Sequence, residues 1–398
     1  MATTINADTS NGLVITPDTS GDINLQSAGV TKASVTSAGL TVGGSNISPQ
    51  PTFRNLVING DMRIAQRGTS ATGITSSGYY VVDRFQHGIG SMGTWSISQS
   101  TDVPTGQGFA NSLKMDCTTA DASPAVSDTL IVRQKIEGQM LQHLKKGTSS
   151  AEKVTVSFWV KSAKTGTYIL ELDDRDNTRH ICQSYTIDTA DTWEKKTLTF
   201  DGDTTGAFDS DNNSSLWLSF WLGAGTNFTS GTLATSWTSR TDANRAVGQV
   251  NLADNTSNYI RITGIQLEVG EGASDFEHLP YDVQLQRCQR YFVNALSGTT
   301  DAYGVFAFGQ NNSSTQVRCM FTTPTQMRTV PSLIYSGSFE ATGGAGGKDI
   351  TTFQTSVRTG NNFMELLANT VSGGTLAVGY MIRRKNDSNA YFHLSAEL

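Results

Sequence analysis

Val154-Thr155-Val156-Ser157-Phe158-Trp159-Val160-Lys161 alternates apolar and polar residues with a period of two, and this reading decides the fold class. A strand of this kind buries one face and needs neighbours on both edges. The chain supplies them at residues 167–172, 193–200, 215–222 and 259–267, several closed by turn signals such as Asp201-Gly202 and Gly223. Many short strands with turn residues between them predict a two-sheet β-sandwich of jelly-roll type.

Outward from this stretch, residues 54–290 read as one jelly-roll domain. Arg54–Met62 reads as a strand running into an Asn59-Gly60 turn, and Tyr80–Phe85 as a second strand. Residues 132–146 are the one helix candidate here, because Ile136, Met140 and Leu144 fall on one helical face. Residues 280–292 read as a short helix leading into a strand, and residues 291–398 as a second β-sandwich. Gly43–Pro51 has linker composition, so 45–53 separates off residues 1–44. In that first segment Ser27-Ala28-Gly29-Val30 returns as Ser37-Ala38-Gly39-Leu40, among apolar-alternating pieces too short to stand alone, Leu13-Val14-Ile15 among them. Unpaired strand edges are an aggregation liability. Three identical chains wound together would pair those edges and bury the apolar face, so an intertwined homotrimer is the expectation.

Charged residues make up 16% of the 398-residue chain, and 39 glycines are present. The charge share is below the roughly 25% of ordinary domains; Thr, Ser, Asn and Gly take its place, as suits an all-β protein rich in turns. With a net charge of −6 and no long Lys/Arg run, nucleic acid is disfavoured as a partner. No apolar run approaches a membrane span, and the first residues lack a secretory h-region. The expectation is a soluble protein made in a cytoplasm, with no membrane insertion. Cys117, Cys182, Cys288 and Cys319 have no metal or redox spacing and read as buried free thiols.

Trp217 and Trp221 are four apart in an alternating strand and share a sheet face with Ser219, while Leu216, Leu218, Phe220 and Leu222 take the other. An aromatic face of this kind can stack a sugar ring. It also fits a central strand covered on both sides, and Trp159 poses the same alternative. The acidic clusters 173–177, 201–203 and 209–213 lack EF-hand spacing; they read as solvated turns, with structural calcium as the alternative. No cofactor is implied. The five histidines show no metal-protease spacing, no carboxylate pair is singled out for glycoside hydrolysis, and Gly343–Lys348 lacks the ending of a phosphate loop. The chain reads as non-enzymatic.

Asn55-Leu56-Val57-Ile58-Asn59-Gly60-Asp61-Met62-Arg63-Ile64-Ala65-Gln66-Arg67-Gly68 resembles the opening block of a widespread group of tailed-bacteriophage tail-fibre proteins. The resemblance continues at Val82-Asp83-Arg84-Phe85, through the jelly-roll blocks at 156–162, 193–196 and 265–270, and closes at Phe276-Glu277, Pro280-Tyr281 and Cys288-Gln289-Arg290-Tyr291-Phe292. Ile15–Gly21 and Leu25–Gly29 also resemble phage-fibre N-termini. The resemblance implies a homotrimeric receptor-binding fibre with a carbohydrate-binding-module-like jelly roll. It would be held to the virion tail or an adaptor protein by its N-terminus and would adhere to a host surface polysaccharide through distal domains. It would be assembled in the host cytoplasm. A head fibre or capsid decoration protein and a depolymerase tailspike are the alternatives. The resemblance supplies no sugar-binding positions; the long polar turns 310–314 and 358–362 of the distal domain can offer hydrogen bonds to sugar hydroxyls, so Asn311, Asn312, Asn361 and Asn362 join Trp217 and Trp221 as candidate sugar contacts.

Overall fold

The computed structural model of the chain describes residues 23–36, 39–42, 45–46, 53–296, 301–343, 346–356, 359–370 and 378–398. The expected strand at Leu13–Ile15 and most of the expected linker lie outside the described residues.

The first four strands, β1 (Ile23–Ser27), β2 (Val30–Thr36), β3 (Gly39–Val42) and β4 (Ser45–Asn46), pair in order as an antiparallel meander. Twelve strands then build the sandwich: β5 (Ser70–Ile74), β6 (Gln86–Gly90), β7 (Thr94–Ser100), β8 (Ser112–Thr119), β9 (Thr129–Glu137), β10 (Val154–Ser162), β11 (Gly166–Asp174), β12 (Arg179–Ile187), β13 (Glu194–Phe200), β14 (Ser214–Ala224), β15 (Thr238–Ser239) and β16 (Tyr259–Val269). They form two six-stranded sheets, β13-β10-β16-β8-β7-β5 and β15-β12-β11-β14-β9-β6. Val156, Phe158 and Val160 of β10 meet Leu218, Phe220 and Leu222 of β14 in one continuous core, as the alternation requires. The all-β jelly-roll reading holds.

One parity break in the sequence has a structural cause. In β16, Ile260 and Ile262 point inward, and so do Ile265 and Leu267. An extra residue is therefore accommodated at Thr263-Gly264, where the register with β10 shifts. Gly264 has φ +63°, and a Cβ there would come within 2.6 Å of the Phe109 ring.

The expected helix at 132–146 is not formed. Residues up to Glu137 are β9, wedged between β14 and β6, followed by 3-10 turns at Gly138–Met140 and Gln142–Leu144. Leu130, Val132 and Ile136 follow a period of two into the core, and this buried pairing outweighs the helical spacing of Ile136, Met140 and Leu144. Neither Arg54–Met62 nor Tyr80–Phe85 is a strand. Both are buried, irregular segments in which Asn59, Met62 and Arg84 adopt positive φ. Side chains satisfy their backbone in place of a ladder: Asn55 accepts from Val57 N and Leu267 N and donates to Ile265 O. The Gln134 amide both accepts from and donates to Ile58.

A four-residue helix, α1 (Thr226–Thr229), follows β14. The helix expected near 280 is α2 (Tyr281–Gln289), running into β17 (Phe292–Asn294). Then come β18 (Val305–Ser313), β19 (Gln316–Thr322), β20 (Ser332–Ser336), β21 (Phe339–Gly343), β22 (Gly346–Thr355), β23 (Phe363–Thr370), β24 (Gly379–Arg384) and β25 (Tyr391–Ser395). Six of them, β18-β19-β23-β22-β21-β24, close into a barrel, and β17-β25-β20 form a small sheet beside it. The C-terminal unit is β-rich as expected, but its main sheet closes on itself, which leaves no free edge. Its core is its own, from Val293 to Ala396. The four cysteines are buried free thiols.

Candidate functional site

Trp217, Ser219 and Trp221 emerge together on the outward face of the second sheet, as their spacing requires, but they are not equivalent. Trp221 is 0% exposed. The segment after β14 folds back over it, bringing the Phe228 ring to 5.4 Å and packing it with Ile131, Ile169, Cys182 and Ala246. Trp221 is therefore a core residue, and the sugar-stacking role expected of it does not fit. Trp217 is half-buried, with Arg175 at 4.4 Å, Arg133 at 4.7 Å and Lys135 at 4.9 Å from its ring centre. Its ring is surrounded by cations and is not a bare platform.

Beside the tryptophans runs a buried ion-pair network. Arg245 grips both Glu171 oxygens, Nε to Oε1 at 2.8 Å and a terminal nitrogen to Oε2 at 3.0 Å. Trp221 Nε1 donates to Oε2 at 2.9 Å, and His180 Nδ1 lies 3.1 Å from Oε1. Burial alone would raise the Glu171 pKa; the Arg245 charge and the hydrogen bonds of His180, Arg245 and Trp221 outweigh it and hold the carboxyl down to about 2. Asp173 next to it is raised, first by burial and then by the Glu171 charge. Glu171, His180 and Cys182 bring three potential metal-ligand atoms within 4.8 Å of one another. The carboxylate is already compensated by Arg245, and burial pushes the Cys182 thiol well up, so the group is built as an ion-pair core. The expected solvated turns hold at 209–213, where Asp209 is exposed and Asp211 accepts from Asn213 N, but in the other two clusters Asp173, Asp174 and Asp203 are buried and committed to ion pairs. Asp174 pairs with Lys146 at 2.6 Å, and Asp203 pairs with Arg179 at 2.7 Å.

The four candidate asparagines, Asn311, Asn312, Asn361 and Asn362, do not converge. Asn311 is 3% exposed, at an irregularity in β18, with its amide donated to Ser313 O. It cannot serve as a surface contact. Asn312 is exposed and donates to Gln316 at 2.9 Å. Asn361 lines a polar cleft of about 440 Å³ with Asn212, Arg290, Gln326 and Arg328, and Asn362 is exposed next to it in sequence. Trp159 lines a smaller cleft of about 200 Å³ on the outer face of the first sheet, with Phe109, Lys195 and His278.

A cleft of about 490 Å³ combines aromatic rings with polar side chains. It is drawn from three distant pieces of chain. Gln66 and Arg67 come from the segment after Asn59, Tyr281 and Gln289 from α2, and Tyr391 and His393 from β25. Tyr281 is 55% and Tyr391 38% exposed. Tyr391 stacks on His393, with ring centres 4.6 Å apart at 22°. Burial, then the Arg67 charge, pushes His393 down to about 4, so at neutral pH the imidazole is uncharged and offers one donor and one acceptor. Arg67 is held by Asp83 and Glu397 and by the Phe292 ring 3.5 Å beneath it. Sequence reasoning missed this site. Its one legible trace is Tyr391-Phe392-His393-Leu394, where two rings alternate with two core residues.

No protein-family model and no curated protein matches the chain. Among solved structures, the enzymatically active domain of tailspike protein 4 of bacteriophage CBA120 aligns at 14% identity and a TM-score of 0.30, over 55% of this chain and 22% of that one. The family 11 carbohydrate-binding module of a Clostridium thermocellum cellulase aligns at 12% identity and a TM-score of 0.26, over 52% and 98%. The xylan-binding domain CBM22-1 of Paenibacillus barcinonensis aligns at 11% identity and a TM-score of 0.24, over 51% and 94%. This chain thus spans about a fifth of the tailspike.

Proposed function

We propose that this chain is a non-enzymatic virion structural protein, a homotrimeric tail fibre that adheres to a host-surface glycan. The cleft of Tyr281, Tyr391, His393 and Gln289 carries the glycan part of the reading. Exposed tyrosine rings offer apolar faces to a pyranose, and the neutral imidazole and the amide offer paired donors and acceptors to its hydroxyls. The trimer is supported by the N-terminal meander. Register places Ile23 opposite Val35 and Leu25 opposite Ala33, so these apolar residues share a face. Leu25 is 57% and Val35 44% exposed. A sheet with an apolar face open to water calls for a cover, and two further copies of the same segment provide it. Tail attachment through the N-terminus follows from the resemblance of the sequence blocks to tail fibres. Three sites per fibre then raise weak single-site affinity through effective concentration.

A microarray of bacterial surface oligosaccharides, read with the labelled protein, tests the adhesion. At least one glycan is expected to bind. Tyr391→Ala is expected to weaken it about tenfold, roughly 1.4 kcal/mol for one lost stacking ring. Retention of full binding by that variant would place recognition elsewhere. Release of reducing ends from the bound glycan would make the protein a depolymerase.

A further inference from the structure

The outward face of the second sheet holds a charge that the protein itself does not use. Around Trp217 stand Arg133, Lys135 and Arg175. The nearby carboxylates are taken: Glu171 by Arg245, and Asp173 by Arg175, Arg240 and Arg245. Among the described residues the Lys135 ammonium donates only to Leu398 O, at 2.6 Å. The Arg133 side chain rests on the Trp217 ring but has no ion pair or hydrogen bond among the described residues, and its Nε is buried without a partner. Directly across the strand pair from Arg133 lies Ser219, whose Oγ is also buried and unpartnered. A half-buried guanidinium and a buried hydroxyl, side by side and both unsatisfied, are costly unless something completes them. Burial disfavours the charged forms of Arg133 and Lys135, and a bound anion would reverse that.

We propose that Arg133, Lys135, Arg175 and Ser219, arranged around Trp217, bind an anionic saccharide. Its carboxylate or phosphate oxygens are received by the Arg133 fork and the Ser219 hydroxyl. Arg133 is suited to this because its planar donors match two oxygens of either group. Lys135 and Arg175 supply attraction from either side, and the Trp217 edge gives the sugar an apolar flank. The saccharide part rests on the adhesion reading above; the anion part stands on this face alone.

Isothermal titration of the full chain at low salt, with trigalacturonate, glucose 1-phosphate and neutral maltotriose, tests it. A charged probe is expected to bind, the carboxylate and phosphate arms deciding between the two sources of charge. Maltotriose is expected to show no dependence on this face. Arg133→Gln should weaken the charged probe by about tenfold or more, the loss of a charge-assisted fork. Lys135→Gln, a milder surface change, should weaken it several-fold, and raising the salt should do the same. Lys385→Gln, the loss of one surface charge on the C-terminal unit, should leave it unchanged. Binding of no charged probe at millimolar concentration overturns the proposal. So does equal affinity in a folded Arg133→Gln variant. A charged probe lost in Tyr391→Ala but kept in Arg133→Gln belongs to the tyrosine cleft, which overturns this site and leaves the adhesion reading standing.

Discussion

At Glu171 one buried carboxylate receives Arg245 through two nitrogens and Trp221 through a third. Removing one partner of such a pair leaves an uncompensated charge in the interior. Arg245→Met should therefore cost about 3–5 kcal/mol in urea unfolding. Adding Glu171→Gln should recover part of that loss, and additive losses in the double variant would refute the coupling. His87 carries a different consequence. It is fully buried between the sheets, and burial pushes its pKa down to about 4. Below about 6.5 the unfolded chain takes up a proton that the folded chain does not, so stability falls as pH drops from there toward 4. At pH 5 this amounts to about 2 kcal/mol. Asp83, raised to about 6 by burial against the pull of Arg67, acts in the opposite direction over the same range, so the histidine must be isolated by difference. His87→Phe should be less acid-sensitive than the parent, its melting temperature shifting less between pH 7 and pH 5. Equal shifts would mean that His87 is not the titrating group.

Among the elements, those with apolar alternation were legible: β10, β11, β13 and β14 fall where it places them, and so does β16 despite the extra residue at Thr263-Gly264. The errors share one cause, which is that the partner was distant. Residues 132–137 carry Val132, Gln134 and Ile136 at strand spacing, but only the long-range pairing with β14 and β6 selects strand over helix. Asn55–Met62 has the β-branched residues of a strand. Its backbone is instead met by polar side chains: Asn55 at Val57 N, Gln134 at Ile58 N and O, and Glu277, 222 residues away, at Asn55 N. Nothing local in the sequence announces that arrangement. It predicts that Asn55 bears weight far beyond its size. Asn55→Ala leaves Val57 N, Leu267 N and Ile265 O without their partner and should cost about 2–4 kcal/mol. A denaturant midpoint within error of the parent would show that water or backbone movement replaces the amide.

In the whole molecule, the tyrosine cleft could not be read from the sequence because it exists only where the sandwich and the C-terminal unit meet. That junction is made of charges. Arg84, 1% exposed, pairs with Glu397 and lies 3.4 Å from the ring centre of Tyr291. Arg67 reaches the other Glu397 oxygen at 3.0 Å. Glu137 receives Arg290 at 2.8 and 2.7 Å, and Tyr291 as well. Arg328 donates to Ala396 O, Glu397 O and Asn212 O. Burial opposes the Arg84 cation, and Glu397 more than restores it, raising its pKa. The two cores are thus separate in packing yet tied by a buried network, and the parent should unfold calorimetrically as a single transition. Glu397→Ala strands Arg84 in the interior, and breaking a buried pair in this way costs about 3–5 kcal/mol. The loss falls on the junction, not on either core. The variant should therefore show two transitions, with the β-barrel unit uncoupled from the sandwich, and the glycan binding proposed for the cleft should weaken with it. Because the pair is buried, added salt should not mimic the substitution. A single, unshifted transition in Glu397→Ala would mean that apolar packing around Cys288 and Tyr291 holds the two units together, and that the ion pairs set only the shape of the cleft.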